Sequence, residues 1–480
     1  MKELIFILLG FVCLDSVGQI NFYKTYGGSG DDYGKSIVTT ADTGYVVVGA
    51  TESFGNGITD VYLFKVDSIG DFEWSRYFGG NNVDWGMDLV ETVDKGFLIC
   101  GYSNSGTINY DGYLIRTNSL GETLWERKIG GNDWDFFYGI TKTNDGNYIL
   151  AGETFSYGNG QSDAYYVKVN DNGDTLWTNT VGTQYKEKFN TVLECSNGDL
   201  LFVGKKENSN GDYDFWLVKT DALGNELWQF SDGTSLDDEA NDVIELDDGN
   251  YFAIGYYTSS IAGRGRDIWY KKIRPDGTEY YDRKLYPNQE NEQGVYALQY
   301  EGETDIYIGA VTETYGNGGE EVMSTKLTYG GGFISGTNYT IGTSGNEVLE
   351  AADLTFDSSV VLVGTTDYTV NGSSSIFIVK QDSLFQTPSL FEENLDVSIS
   401  ESEEKPSISV YPIPASSRLT ISGFELEERD TYEITNNMGE RIKKAELTSK
   451  DINVVDLSSG IYYIKIITSN QEVVLKFIKL

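Results

Sequence analysis

Six acids recur at one place in a repeating pattern: Asp32, Asp84, Asp135, Glu187, Asp238 and Glu347 each stand five residues after a glycine. Clustered carboxylate and carbonyl oxygens are the ligands of a hard cation such as Ca2+, so a ring of these acids would make a cation site. The regularity itself favours a plainer role. A side chain present in every repeat is more often a turn residue accepting backbone hydrogen bonds, and we weight that role above the metal. Asp60, Asp111, Asp163 and Asp214 form a second series, which reads as structural because each opens a strand after a turn. Tyr33, Trp85, Trp134 and Phe136 adjoin the first series and are the candidate contacts for an exposed sugar or peptide.

Composition narrows the other chemistries. The chain has no histidine, which removes Ser-His-Asp and Cys-His nucleophile arrangements and the commonest zinc and iron ligand. Of three cysteines, Cys13 lies in an N-terminal apolar run, while Cys100 and Cys195 occupy packing positions without metal-type spacing. With 74 acids a glycosidase-type carboxylate pair stands as an alternative, yet no repeat carries the irregular acidic insertion that would mark one. The segment from Asn170 to Asp174 resembles a calcium loop but lacks its closing glutamate. A formal charge of −39 and a pI near 4.2 argue against nucleic acid and suit solubility outside a cell.

The elements that must position these residues follow from an internal repeat. Gly49, Gly101, Gly152, Gly204, Gly255, Gly309 and Gly364 each end an apolar run such as Tyr45-Val46-Val47-Val48. An acid-led alternating strand follows, then a turn and a last strand marked by Trp74, Trp125, Trp177 and Trp228, with Tyr280 and Thr337 as weakened later versions. Four short antiparallel strands per repeat is the composition of a blade, and seven copies predict an all-β, seven-bladed β-propeller. The seventh repeat stops after Lys380 without its last strand, whereas Asn21 to Gly28 is an orphan one. The N-terminal strand is therefore expected to complete the last blade and close the ring, removing two sheet edges. The expected division is a propeller over 19–385, an acidic linker over 386–406 and a small C-terminal β-sandwich over 407–480.

Residues 1–18 carry Lys2, an apolar run from Leu4 to Leu14 and the small residues Ser16 and Gly18, the pattern of a cleaved secretory signal. No later segment is long and apolar enough to be transmembrane, so the chain is not expected to be an integral membrane protein. Near the C-terminus stand Val410-Tyr411-Pro412-Ile413-Pro414, Asn437-Met438-Gly439-Glu440, Leu457 through Lys465, and a closing Leu475 to Leu480. These blocks resemble the C-terminal sorting domain of type IX secretion cargo. Its motif falls on Tyr411, Pro412, Pro414, Gly439, Gly460, Tyr462, Lys465 and Lys476, with Ile413 departing from the usual asparagine. The resemblance implies recognition by the type IX secretion translocon and delivery to the cell surface or the medium. The expected function is an exported scaffold binding a glycan, a peptide or a surface protein. A carboxylate-dependent carbohydrate-active enzyme and a structural or adhesion component are the alternatives.

Overall fold

The computed structural model describes residues 21–260, 265–285, 290–315, 319–335, 337, 339–368, 372–382, 390–396, 409–411, 418–422, 430–436, 441–458, 460–467 and 472–479. The expected signal segment 1–18 lies outside them. The chain divides into two compact units, Met1–Ser398 and Ile399–Leu480, whose regular elements are all strands.

In the first unit, six antiparallel sheets each join four strands in chain order, and a seventh adds the N-terminal strand to the last three strands of the ring. Blade one comprises Asp32–Thr39, Tyr45–Thr51, Asp60–Val66 and Phe72–Phe78. The inner strands of the other blades are Asp84–Glu91, Asp135–Lys142, Glu187–Glu194, Glu239–Glu245, Glu292–Leu298 and Glu347–Leu354. Each inner strand packs against the inner strands on both sides, and the last packs against the first. The protein is thus an all-β, seven-bladed propeller, with the second and third strands of blade one buried along their whole length. Burial on both faces is why the apolar runs do not alternate.

The ring closes through its N-terminal strand. Phe22–Gly27 pairs antiparallel with Ser375–Gln381, in a register that sets Phe22 opposite Lys380 and Tyr26 opposite Ile376. The aromatic of each outer strand lies beneath a turn glycine of the next blade: Trp74 under Gly121, Trp125 under Gly173, Trp177 under Gly224 and Trp228 under Gly277. Phe22 takes the same place under Gly70. These glycines have φ between 75° and 83° and would drive a Cβ into the neighbouring ring, so both backbone and space require glycine there.

Three expectations are corrected. In blade five the slot under Gly331 is filled by Tyr281, while Tyr280 is exposed, because strand alternation turns neighbours to opposite faces. In blade six the outer strand is Tyr339–Ile341, so Thr337 precedes it, its hydroxyl donating to the Ile334 carbonyl at 2.7 Å. Within the expected acidic linker, Leu390–Asp396 forms a fifth strand running parallel to Phe22–Gly27. Its acids suggested a solvated coil, but pairing needs only the backbone groups that the closing strand offers on its outer edge.

The few basic side chains are placed repetitively. Lys65, Arg116, Lys168, Lys219, Lys272 and Lys380 bury their stems in third strands and reach the turn acids Asp42, Asp94, Asp145, Asp199, Asp248 and Asp357 at 2.5–2.9 Å. Those turns join first to second strands, at the end of the propeller opposite the recurring acids. Cys100 and Cys195 are both buried and free.

The second unit has two antiparallel sheets. One contains Ser409–Tyr411, Arg418–Ser422 and Asp451–Asn453; the other orders Arg441–Glu446, Thr431–Asn436, Gly460–Ile467 and Glu472–Lys479. Leu419, Ile421 and Ile452 from the first meet Ile434, Ile464 and Ile466 from the second in one core, which makes the unit a small sandwich.

Candidate functional site

The recurring acids open the inner strands and are buried, with Asp32, Asp84, Asp135, Asp238 and Glu347 at 0% exposure and Glu187 at 1%. Most of their oxygens are engaged within the protein, Glu187 Oε2 being the exception. Asp32 accepts from the Thr51 and Ser53 hydroxyls and the Gly28 N–H, Asp84 from Ser103, Ser105 and Gly80, and Asp135 from Thr154, Ser156 and Gly131. Asp238 accepts from Thr234 and the Thr258 N–H, Glu187 from Thr183, and Glu347 from Thr343 and Thr366. This is the turn role. Among the described residues no three Asp, Glu or Cys side chains gather as a metal site. Glu292 is a seventh member that the spacing missed, because Pro287 stands where the other repeats have glycine; it is fully buried and accepts from Thr312 at 3.4 Å.

The axis of the ring holds a cavity of about 300 Å³ lined by all seven inner strands. Every inner strand bulges at the same position, displacing one residue from the ladder: Lys35, Met87, Tyr138, Asn190, Asn241, Val295 and Glu350. All seven line the cavity. A bulge re-aims a side chain, and here it turns one residue per blade into the channel. Lys35 bonds Glu350 at 2.6 Å across the seam between blades one and seven. The Asn190 and Asn241 amide N–H groups donate to Ala240 and Gly294 carbonyls at 2.8 and 2.7 Å, leaving their Oδ1 atoms as acceptors at the cavity.

Two residues nearer the strand starts is a second layer: Tyr33, Trp85, Phe136, Lys188, Glu239, Gln293 and Val348. Its aromatic part extends into a continuous track. Ring centroids are 5.1 Å apart for Tyr33 and Trp85, 6.4 Å for Trp85 and Tyr102, and 5.1 Å for Tyr102 and Phe136. Phe136 touches Trp134, which touches Phe155, and Trp134 is 48% exposed. All four aromatics expected from the sequence are therefore brought together. Tyr102, Tyr110, Tyr138 and Phe155 were missed, because they stand on other strands or other layers and share no spacing with the acids.

Deeper in the channel, Asp88 accepts from the Ser36 hydroxyl at 2.6 Å, its neighbour Leu89 N–H at 2.8 Å and the Ile140 N–H of the next blade at 2.9 Å. Asp242 accepts from Ala297 N–H of blade six at 2.9 Å. Both stitch inner strands together, and burial pushes both carboxyls up to about 6. Burial likewise carries Asp238 to about 6. A carboxyl whose folded pKa lies above its unfolded value binds more protons when folded, so stability rises as pH falls from 7 toward 5. Asp88 and Asp242 are only half-buried as residues, and solvent screening reduces the gain to about 1–2 kcal/mol for the pair. Below roughly pH 4 the sign reverses. Glu239, held near 2 against burial by Lys188 and Lys205, stays charged there in the folded protein while the unfolded chain takes up the proton. Thermal unfolding from pH 7.5 to 5 should show a rising midpoint in the wild type and a flatter one in D88N/D242N; a wild-type midpoint that falls over that range would contradict these assignments.

In the second unit Tyr462 is buried and its hydroxyl donates to the Ser458 carbonyl at 3.0 Å. Tyr411, Gly460, Lys465 and Lys476 lie on strands, while Pro412, Pro414 and Gly439 fall outside the described residues. Residues 409–480 match the family described as the secretion system C-terminal sorting domain. The second unit is a type IX sorting domain. A chain carrying this sorting domain is handled by the type IX machinery and exported across the outer membrane, to the surface or the medium. The sorting domain covers only the tail, and the first unit has its own similarities. An alignment over 202 positions, which covers 36% of this chain, is 23% identical to the regulatory protein FlaEY of Caulobacter vibrioides and spans 21% of that relative's length. Among solved structures, the Neurospora crassa Pan2 WD40 domain is similar at 10% identity and a TM-score of 0.47, over 73% of this chain and 89% of that one. PorZ of Porphyromonas gingivalis, a surface component of the type-IX secretion system, is similar at 13% identity and 0.39, over 91% and 58%.

Proposed function

We propose that this chain is an exported binding protein whose propeller holds a saccharide at the mouth of its channel. The observation that carries this reading is the aromatic track, from Tyr33 and Trp85 through Phe136 to the exposed Trp134, set over a cavity edged by amide oxygens. Aromatic faces take the C–H faces of a sugar ring, and nearby amides and carboxylates take its hydroxyls. A cavity of about 300 Å³ suits one ring and is too small for an extended peptide pairing along an inner strand. Asp88 and Asp242 have the raised pKa that acid catalysis would use, but their oxygens are engaged by strand N–H groups, so binding without turnover is the reading favoured. Full-length protein on mixed glycan and peptide arrays is expected to retain glycans, and W85A or F136A to weaken that retention on the order of tenfold or more. Retention of peptides alone, or unchanged glycan binding in both variants, would overturn the proposal; hydrolysis of a retained glycan would replace it with the enzyme alternative.

A further inference from the structure

Blades one, two and three open their third strands alike: Asp60–Val66, Asp111–Thr117 and Asp163–Val169 carry Tyr62, Tyr113 and Tyr165 two residues after the leading acid. In blades one and three the loop before that strand lays an aromatic ring on the tyrosine. Phe54 lies 5.4 Å from Tyr62 and Tyr157 lies 5.8 Å from Tyr165, centroid to centroid, with planes 32° and 36° apart. The same two rings close on the junction glycines Gly28 and Gly131, where a Cβ would meet them at 2.9 and 3.1 Å. The Tyr157 hydroxyl also donates to the Gly130 carbonyl at 2.9 Å.

Blade two is built without this ring. Its loop from Ser103 to Asp111 is one residue shorter than the loops from Thr51 to Asp60 and from Thr154 to Asp163, so that Ser53-Phe54-Gly55 and Ser156-Tyr157-Gly158 become Ser105-Gly106. Gly55, Gly158 and Gly106 share a positive φ, at 95°, 96° and 77°, so they hold the same turn and the residue left out is the aromatic. At Gly80, the counterpart of Gly28 and Gly131, the atoms nearest a Cβ all belong to Ser105. In this place lies a cavity of about 690 Å³ lined by Tyr113, Gly79, Asn82, Ser105, Glu126 and Lys128 among others. It shares no lining residue with the channel cavity.

The Tyr113 hydroxyl donates to Glu126 at 2.5 Å, which fixes the ring as a floor. The exposed Lys128 reaches over it: the ammonium lies 5.8 Å from the Tyr113 ring and donates to the Ser105 carbonyl, and Tyr113 is 4% exposed. A ring entering the slot must displace that side chain, which costs little at an exposed position. Gly79 stands five residues before Asp84, as Gly130 stands before Asp135, so its carbonyl holds the place of the acceptor that Tyr157 uses.

We infer that this slot takes a tyrosine side chain of a partner polypeptide, its ring tilted on Tyr113 and its hydroxyl donating to the Gly79 carbonyl, in the position that the protein's own Tyr157 fills one blade on. Tilted aromatic pairs at such separations are favourable beyond the area they bury, and the blade supplies the receiving surface ready-made.

The test follows N-acetyltyrosine amide, N-acetylphenylalanine amide and p-cresol on the full-length protein by ligand-observed saturation-transfer NMR. The tyrosine amide should bind, and the phenylalanine amide about threefold to tenfold more weakly, for want of the hydroxyl donor. Inserting a tyrosine between Ser105 and Gly106 restores the pattern of the neighbouring blades; it should raise the melting midpoint and remove the signal. Y157A, at a half-exposed ring, empties the matching slot of blade three and should strengthen the signal. Neither amide binding, or a signal that survives the insertion undiminished, would overturn the inference, and p-cresol binding more tightly than the tyrosine amide would overturn the polypeptide source. Each of these results leaves the saccharide reading untouched, because the two cavities have no residue in common.

Discussion

A chain shortened to begin after Gly28 should fail to form a stable propeller, although it loses only a few residues of a large unit. Phe22, Tyr23 and Tyr26 are at most 1% exposed. Phe22 lies beneath Gly70, Tyr23 stacks on Phe377 with centroids 5.8 Å apart, and the Tyr26 hydroxyl donates to the Gly70 carbonyl at 2.6 Å. Without them Ser375–Gln381 becomes a bare edge, Leu390–Asp396 loses its partner strand, and blade one loses the aromatic under its turn. The effect should exceed a local loss because a ring transmits an open seam to both neighbours. Within the intact chain, F22A should cost about 3–5 kcal/mol, the range for emptying a fully buried aromatic site. Urea unfolding followed by tryptophan fluorescence measures both. A shortened chain that unfolds at the wild-type midpoint would contradict the account of closure.

Removing residues 409–480 should have the opposite signature, leaving the fold of the first unit intact and abolishing its export. The sorting domain keeps its own core, with Leu419, Ile434 and Ile464 all at 0% exposure, and among the described residues its strands pair only with one another. The truncated protein should accumulate in the periplasm with an unchanged propeller melting transition. Cell fractionation and protease treatment of whole cells read the location, and calorimetry reads the fold. Truncated protein found on the surface would show that export depends on something other than this tail.

Much of this architecture was legible in one dimension, for an identifiable reason. The recurring glycines, acids and tryptophans each make contacts that every blade repeats, so selection for those contacts writes the same residue at the same interval. The misreadings fall where the repeat weakens. Pro287 hid Glu292, Tyr280 stood in for Tyr281 by one step of strand alternation, and a row of acids concealed the backbone pairing of Leu390–Asp396.

The sequence alone determined the number of blades, the strand that closes them and the identity of the tail, because each is written as recurring or ordered residue types. The tertiary structure alone decided what lines the channel. Lys35, Met87, Tyr138, Asn190, Asn241, Val295 and Glu350 are of six residue types and hence show no pattern. They become one layer only because seven strands converge on an axis and each carries a bulge that turns one side chain into the same space.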